Sequence, residues 1–480
     1  YSLIAMLKNK LILLLQSLSS AELSRLDTFL ASDYFNPDPN LRRLFSELRA
    51  AYPDFAQAQL TKAKLFAQVY PDQPYNDKAL RYALSRLNQL AEQFLAWEQL
   101  QQQAYQTELA LLEALSQRGL EKSYRHRSRL LERQLAASTE RSSTYFLASF
   151  QWAELQQRHF QRQHQRRFDE SIQHAAEQLD RYYFLQRLRL SCAMLDRERI
   201  LHTPYRPQLS ADWLRHLRTY DFFSEPVIAL YHTIYGTLQE EQEEHTEAHF
   251  QALKSGITQT AEQVPHQDLR DIYLFAINFC ARKIRQGADQ YVDEALLLYR
   301  MGIERGILLD NGQLSPWTFT NVVKLLLRQQ QYADIESFIT QYGPTLPPSQ
   351  RANALHYNRA ELYYYTKRFD DAQTELLNVA YSDPNYYLGA RVLLAKIYYE
   401  TQAEEALLAL LASFTIFLKR NRELAANLKQ TYLNFCHLLF QIVRRPAHRL
   451  DAILSTIQTS ELLTDRAWLT RVCEEKMQKK

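Results

Sequence analysis

Residues 353–386 read NALHYNRAELYYYTKRFDDAQTELLNVAYSDPNY, a stretch in which Ala360, Tyr363, Ala372, Leu376 and Pro384 form a pattern. Thirty-four residues beyond Ala372 and Leu376 stand Ala406 and Leu410, so the pattern is an internal repeat in phase with itself. Upstream, Tyr332, Ile335 and Ile339, and then Tyr291, Ala295 and Tyr299, occupy equivalent places in less regular units with longer intervals. Tyr235 and Gly236, with Ala248 and Ala252, suggest a further unit. Apolar residues three and four apart make one face of a helix, so the repeat is helical.

This spacing resembles the tetratricopeptide repeat, over roughly residues 225–445. The resemblance implies pairs of antiparallel helices that approach closely at small residues, with Pro384 ending the second helix of its pair. It also implies a concave groove lined by the first helices. Asn278, Asn321, Asn358 and Asn434 each stand two residues before a small or apolar packing position, and the unit between the last two has Val392 there instead. In the family, asparagine at this place hydrogen-bonds the backbone of an extended peptide, because one amide supplies both donor and acceptor. On the same helices Trp317, Lys324, Tyr357, Glu361, Tyr364, Arg391 and Tyr398 are expected to face the groove, and aromatic residues and Arg are the usual anchors of binding surfaces.

The N-terminal part is expected to be a small helical bundle over 1–98. Leu3, Leu7, Leu11, Leu14 and Leu18 form a stripe, and Ser19 with Glu22 reads as a capping box. Pro37 and Pro39 mark a turn, Thr61 caps a fourth helix, and Asn76 caps a fifth that the pattern carries from Asp77 to Gln117. Residues 99–203 read as long Gln- and Arg-rich helices joined at Gly119 and at Ser138–Thr144. Pro204 and Pro207 mark the boundary to the array, 204–480, which ends in capping helices. The fold class is therefore all-α: N-terminal bundle, long-helix middle segment, C-terminal tetratricopeptide-like solenoid. The segments FLASDYFN (29–36) and LTKAKLFAQVYP (60–71) are also similar to those of uncharacterised helical proteins of Bacteroidota-type bacteria, a resemblance that carries no function.

Composition removes several kinds of chemistry. Only 9 residues are glycine, and no GxGxxG, Walker-type or GxSxG motif occurs, which takes away the common phosphate cradles and the nucleophile elbow. The 4 cysteines stand far apart, without a CxxC pair. No Ser/His/Asp grouping stands out, so no enzyme and no cofactor is expected. No run is long enough to span a membrane, and the reducing cytoplasm is the expected compartment.

Charge is uneven. Residues 118–218 hold 19 Lys+Arg against 11 Asp+Glu, and 219–350 hold 9 against 17, a basic block followed by an acidic one that could support self-association. Arg158, Arg162, Arg166 and Arg167 make a basic helix face, the alternative site, where a nucleic-acid backbone could lie. Asp169 and Glu170 follow it at once. His245 and His249 lie one turn apart beside Glu247 in an acidic run. Their order is not the metalloprotease H-E-x-x-H, so a solvated segment is expected and no metal. Lys62, Lys64, Lys78, Arg81 and Arg86 lie on helices separated by a break, a weak helix-turn-helix signature. The expected function is a scaffold that holds an extended segment of a partner protein.

Overall fold

The computed structural model describes residues 10–53, 55, 61–103, 105–163, 168–201, 205, 209–220, 222–239, 243–380, 384–421 and 424–478. The protein is all-α: among these residues the only strands form one two-stranded hairpin. Packing divides the chain into two compact units, Tyr1–Thr139 with Ser143–Tyr183, and Glu140–Ser142 with Phe184–Lys480. The division falls inside a helix, upstream of Pro204 and Pro207, which lie outside the described residues.

In the first unit α1 (Lys10–Ser17), α2 (Ser20–Leu30), α3 (Pro39–Arg49), α4 (Lys62–Val69) and α5 (Asp77–Gln102) surround one core, in which Leu15, Leu26, Phe45, Phe66 and Leu87 are fully buried. Leu3 and Leu7 lie outside the described residues. Local chemistry sets the helix starts. The Ser19–Glu22 capping box is formed in both directions, Thr61 and Asn76 cap as expected, and Asp38 caps α3 with Pro39 in its first turn.

The helix expected from Asp77 to Gln117 is in fact two, α5 and α6 (Gln106–Gln117). No Gly or Pro marks the break; its cause is tertiary. Leu80, Leu87 and Phe94 of α5 serve the first core. Leu109 and Leu112 of α6 serve a second, with Leu131 and Leu135 of α7 (Glu121–Ala137) and Trp152 of α8 (Ser143–Arg162). Gly119, at φ +68°, turns α6 into α7.

The second unit takes in the later part of α9 (Ser171–Leu201) and α10 (Ala211–Thr219), then a series of helix pairs. The first helices are α11 (Pro226–Gln239), α13 (His266–Arg285), α15 (Pro316–Arg328), α17 (Pro348–Tyr365), α19 (Pro384–Glu400) and α21 (Ala426–Arg444). Their partners are α12 (Glu243–Thr260), α14 (Tyr291–Glu304), α16 (Tyr332–Tyr342), α18 (Phe369–Leu377), α20 (Glu404–Arg420) and α22 (Asp451–Thr459), and α23 (Arg466–Gln478) follows. Each helix packs on its partner, and first helices pack on one another: α11 on α13, α15 on α17, α17 on α19. Ala360 and Ala372, the small residues of the sequence pattern, are fully buried.

Two local devices repeat. The turn from first to second helix places one residue in the left-handed region: Gly287, Gln330, Lys367 and Gln402. The next N–H then bonds five residues back, Ala288 to Lys283, Gln331 to Leu326, Arg368 to Tyr363 and Ala403 to Tyr398, closing the helix end. Proline, in turn, opens first helices. Pro384 does not end a second helix as expected: α18 stops at Leu377, and Pro384 begins α19, as Pro226, Pro316 and Pro348 begin theirs. A first-turn N–H has no intrahelical partner, so proline loses nothing there. The hairpin Leu309–Asp310 with Gln313–Leu314, turned at Asn311 and Gly312, links α14 to α15.

Candidate functional site

A cavity of about 720 Å³ lies across the first helices of the second unit. From α15 come Lys324 and Arg328, from α17 Tyr357, Glu361 and Tyr365, from α19 Gly389 and Lys396, from α21 Tyr432, and from the approach to α23 Thr464 and Asp465. Tyr357, Glu361 and Tyr365 recur every four residues and therefore share one face of α17. Tyr357 is buried, and its hydroxyl donates to Glu361 Oε1 at 2.6 Å. Its ring fits because position 389 is glycine: a Cβ there would stand 2.9 Å from Tyr357 Cε2.

Lys396 anchors the floor. It sits in the apolar run VLLAKIYY (392–399), is 7% exposed, and donates to Asp465 Oδ1 at 2.8 Å. Its Nζ lies 5.0 Å from the Tyr364 ring centroid and 5.8 Å from that of Trp468. Burial alone would lower its pKa, but the negative charges of Asp465 and Glu361 outweigh burial and raise it, so the ammonium stays charged. Burial, joined by the charge on Asp465, raises the phenol pKa values of Tyr432 and Tyr365; for Tyr365 the nearby Glu361 adds to it. Both remain neutral donors at ordinary pH.

Of the residues expected to line a groove, the cavity brings together Lys324, Tyr357 and Glu361. Tyr364 stands beside it, against Lys396 and within 3.4 Å of Glu400. Arg391 turns to Tyr387 instead, 4.8 Å over its ring. Tyr398 is half-buried and Trp317 is exposed, and neither lines the cavity.

The four asparagine amides all make hydrogen bonds within the chain, and for Asn358 burial rules out the expected place on a groove. Asn358 is fully buried, and its amide donates to Thr320 on α15 at 3.1 Å and to Ala354 O at 2.8 Å. Asn278 donates to Asp196, Asn321 to the Tyr299 hydroxyl, and Asn434 to Leu462 O. These amides join helices to their neighbours. The amide that does pair with a peptide group is Asn353, which sequence reading passed over: it donates to Ala380 O at 3.0 Å and accepts from Ala380 N–H at 2.8 Å, holding the link to α19.

Elsewhere the expected sites are largely paired within the chain. Arg158 and Arg162 both face Glu113 of α6, at 3.1 and 3.6 Å, and Arg166 and Arg167 lie outside the described residues. The side chain of His245 also lies outside them. Glu247 accepts from Tyr291 and Gln251, and His249 packs on Gly236. Among the described residues no group of three or more His, Cys, Asp or Glu could hold a metal ion, and no helix is long and apolar enough to cross a membrane. Lys62 and Arg81 both pair with Asp77.

One grouping that sequence reading missed is Ser116–His159–Glu121. Ser116 Oγ lies 2.9 Å from His159 Nδ1, and His159 Nε2 lies 2.8 Å from Glu121 Oε2, with the ring stacked on Tyr124. Ser116 is buried at the last turn of α6, where carbonyls rather than N–H groups point outward, and its oxygen accepts from Arg162 at 2.7 Å. This places no oxyanion donors beside a nucleophile. The three residues tie α6, α7 and α8 together.

Comparison of the chain with protein-family models, curated proteins and solved structures finds no match.

Proposed function

We propose that this chain is a non-catalytic scaffold whose tetratricopeptide-like array holds an extended segment of a partner protein in the cavity crossed by α15, α17, α19 and α21. The observation that carries this reading is the cavity itself: four successive first helices contribute to one surface, with phenols and charges of both signs exposed to a ligand. The buried Ala360 and Ala372 and the repeated turn support the family resemblance. Backbone recognition falls to Tyr365 and Tyr432, which line the cavity, rather than to the asparagines, whose amide nitrogens donate within the chain. Four free, buried cysteines fit a reducing compartment such as the cytoplasm. The nucleic-acid alternative at Arg158 and Arg162 has less support, because Glu113 already faces both.

A photoreactive phenylalanine analogue in place of Tyr365 tests this in cells. The expected result is a discrete protein adduct that survives nuclease treatment and is absent when the analogue replaces Leu377, exposed on a second helix. No adduct at 365, or the same adducts from both positions, would overturn the reading.

A further inference from the structure

We propose that the segment held in this cavity is acidic, with a carboxylate of the ligand meeting Lys324 and the chain running on past Tyr365 and Tyr432; this rests on the peptide-binding reading above. The lining carries three cations, Lys324, Arg328 and Lys396, and two carboxylates, Glu361 and Asp465. Both carboxylates are engaged within the chain. Asp465 takes Lys396 on one oxygen and the Thr464 hydroxyl, at 3.2 Å, on the other, while Glu361 accepts from Tyr357. Arg328 is held by Asp289 at 2.6 Å. Lys324 is exposed and forms no ion pair among the described residues. A ligand carboxylate therefore finds a waiting ammonium. A ligand cation would meet Asp465 already paired with Lys396 and a single carboxylate without an ion pair among the described residues, Glu361, in a lining whose three cations outnumber its two carboxylates.

The rest of the surface suits a backbone rather than one side chain. Tyr332, Tyr365 and Tyr432 line the cavity and their hydroxyls make no hydrogen bond among the described residues, so three phenol donors are left for carbonyl groups. Helices pack at about 8–10 Å, so crossing from α15 to α21 covers roughly 30 Å, and an extended chain at ~3.3 Å per residue does this in about nine residues. The ligand is thus an extended peptide of about nine residues with Asp or Glu near its α15 end.

The test uses the full chain immobilised and three libraries of nine-residue peptides. Each library is random except for one position, moved along the peptide, fixed as Glu, Gln or Lys. The expected result is retention of the Glu library up to about fivefold above the Gln library, the range of an exposed ion pair, with the Lys library lowest. Lys324→Glu reverses the order of Glu and Lys, and Tyr365→Ala weakens all three without reordering them. Equal retention of all three libraries by the unaltered chain overturns the acidic preference and leaves peptide binding standing. Retention of none overturns both.

Discussion

At Lys396 burial and charge pull in opposite directions, and the two partners of its ion pair are unequally buried. The Lys396 side chain is 9% exposed and that of Asp465 is 29% exposed. Asp465→Asn leaves a buried ammonium without its anion and is expected to cost about 3 kcal/mol or more. Lys396→Met leaves a carboxylate that water can still reach, and should cost about 1–2 kcal/mol. Urea titration at neutral pH reads the difference; equal losses would show that the pair does not work this way. Gly389→Ala tests the neighbouring contact, since the added methyl has nowhere to go but into the Tyr357 ring, with an expected loss of about 1–3 kcal/mol. Tyr357 is held on α17 by Glu361, so the ring cannot simply swing aside.

His232 supplies a pH signature. Burial first, then the positive charge of Arg218 and the nearby His249, hold its pKa down to about 4. Phe223 also packs on its ring, 4.7 Å away. The unfolded chain therefore binds a proton near pH 6.5 that the folded chain refuses until about pH 4, and stability from this group falls as pH drops through that window. The fall amounts to roughly 3 kcal/mol. Asp268 and Asp271, whose pKa values burial raises, act with the opposite sign over the acid range. Comparing the native chain with His232→Gln isolates the histidine: the variant should gain on the native protein by about that amount between pH 7 and pH 4. A constant difference across that range would contradict the assignment.

At the scale of elements, the recurring device is the left-handed residue that closes four of the first helices, α13, α15, α17 and α19. Gly287 serves in one turn, but Gln330, Lys367 and Gln402 serve in the others, each with a Cβ in a region that suits glycine better. Lys367→Gly and Gln402→Gly should therefore each raise stability by roughly 0.5–1 kcal/mol, read as a higher urea midpoint with unchanged slope. Lower midpoints would mean that these side chains contribute contacts that outweigh the backbone strain. The same turns explain why the array was only partly legible. Glycine or proline at a helix end is a signal in sequence, whereas glutamine or lysine in the same conformation is not. Pro384 was legible as a boundary and misassigned as to which helix it bounds, since proline is compatible with stopping one helix and with starting the next.

At the scale of the whole molecule, two compact units and a stacked array replace the single core of a small domain. α1–α5 enclose a core of their own, while the array is built of neighbour-to-neighbour contacts. Unfolding is expected to depart from a two-state transition, with hydrogen-exchange protection of α1–α5 and of α11–α22 lost at different denaturant concentrations. One coincident loss would mean that the units are strongly coupled. Charge has a molecular-scale consequence too. Because Glu113 already faces Arg158 and Arg162, any binding to nucleic acid should show a slope of log affinity against log salt shallower than about 2. A steeper slope would restore that face as a site.

The all-α class, the caps at Ser19, Thr61 and Asn76, and the spacing of Ala360 and Ala372 follow from the amino-acid order alone, because helix periodicity and helix ends are decided by residues within a few places of one another. So does the anomaly of Lys396, a lone charge in an apolar run, although nothing local says which anion meets it. The break after α5, the inward use of Asn358, and the meeting of Lys324, Tyr357, Tyr432 and Asp465 around one cavity were decided only by the tertiary structure. Each depends on which distant helix lies alongside, and a side-chain amide or a lysine can serve a neighbour or a ligand equally well until that neighbour is in place.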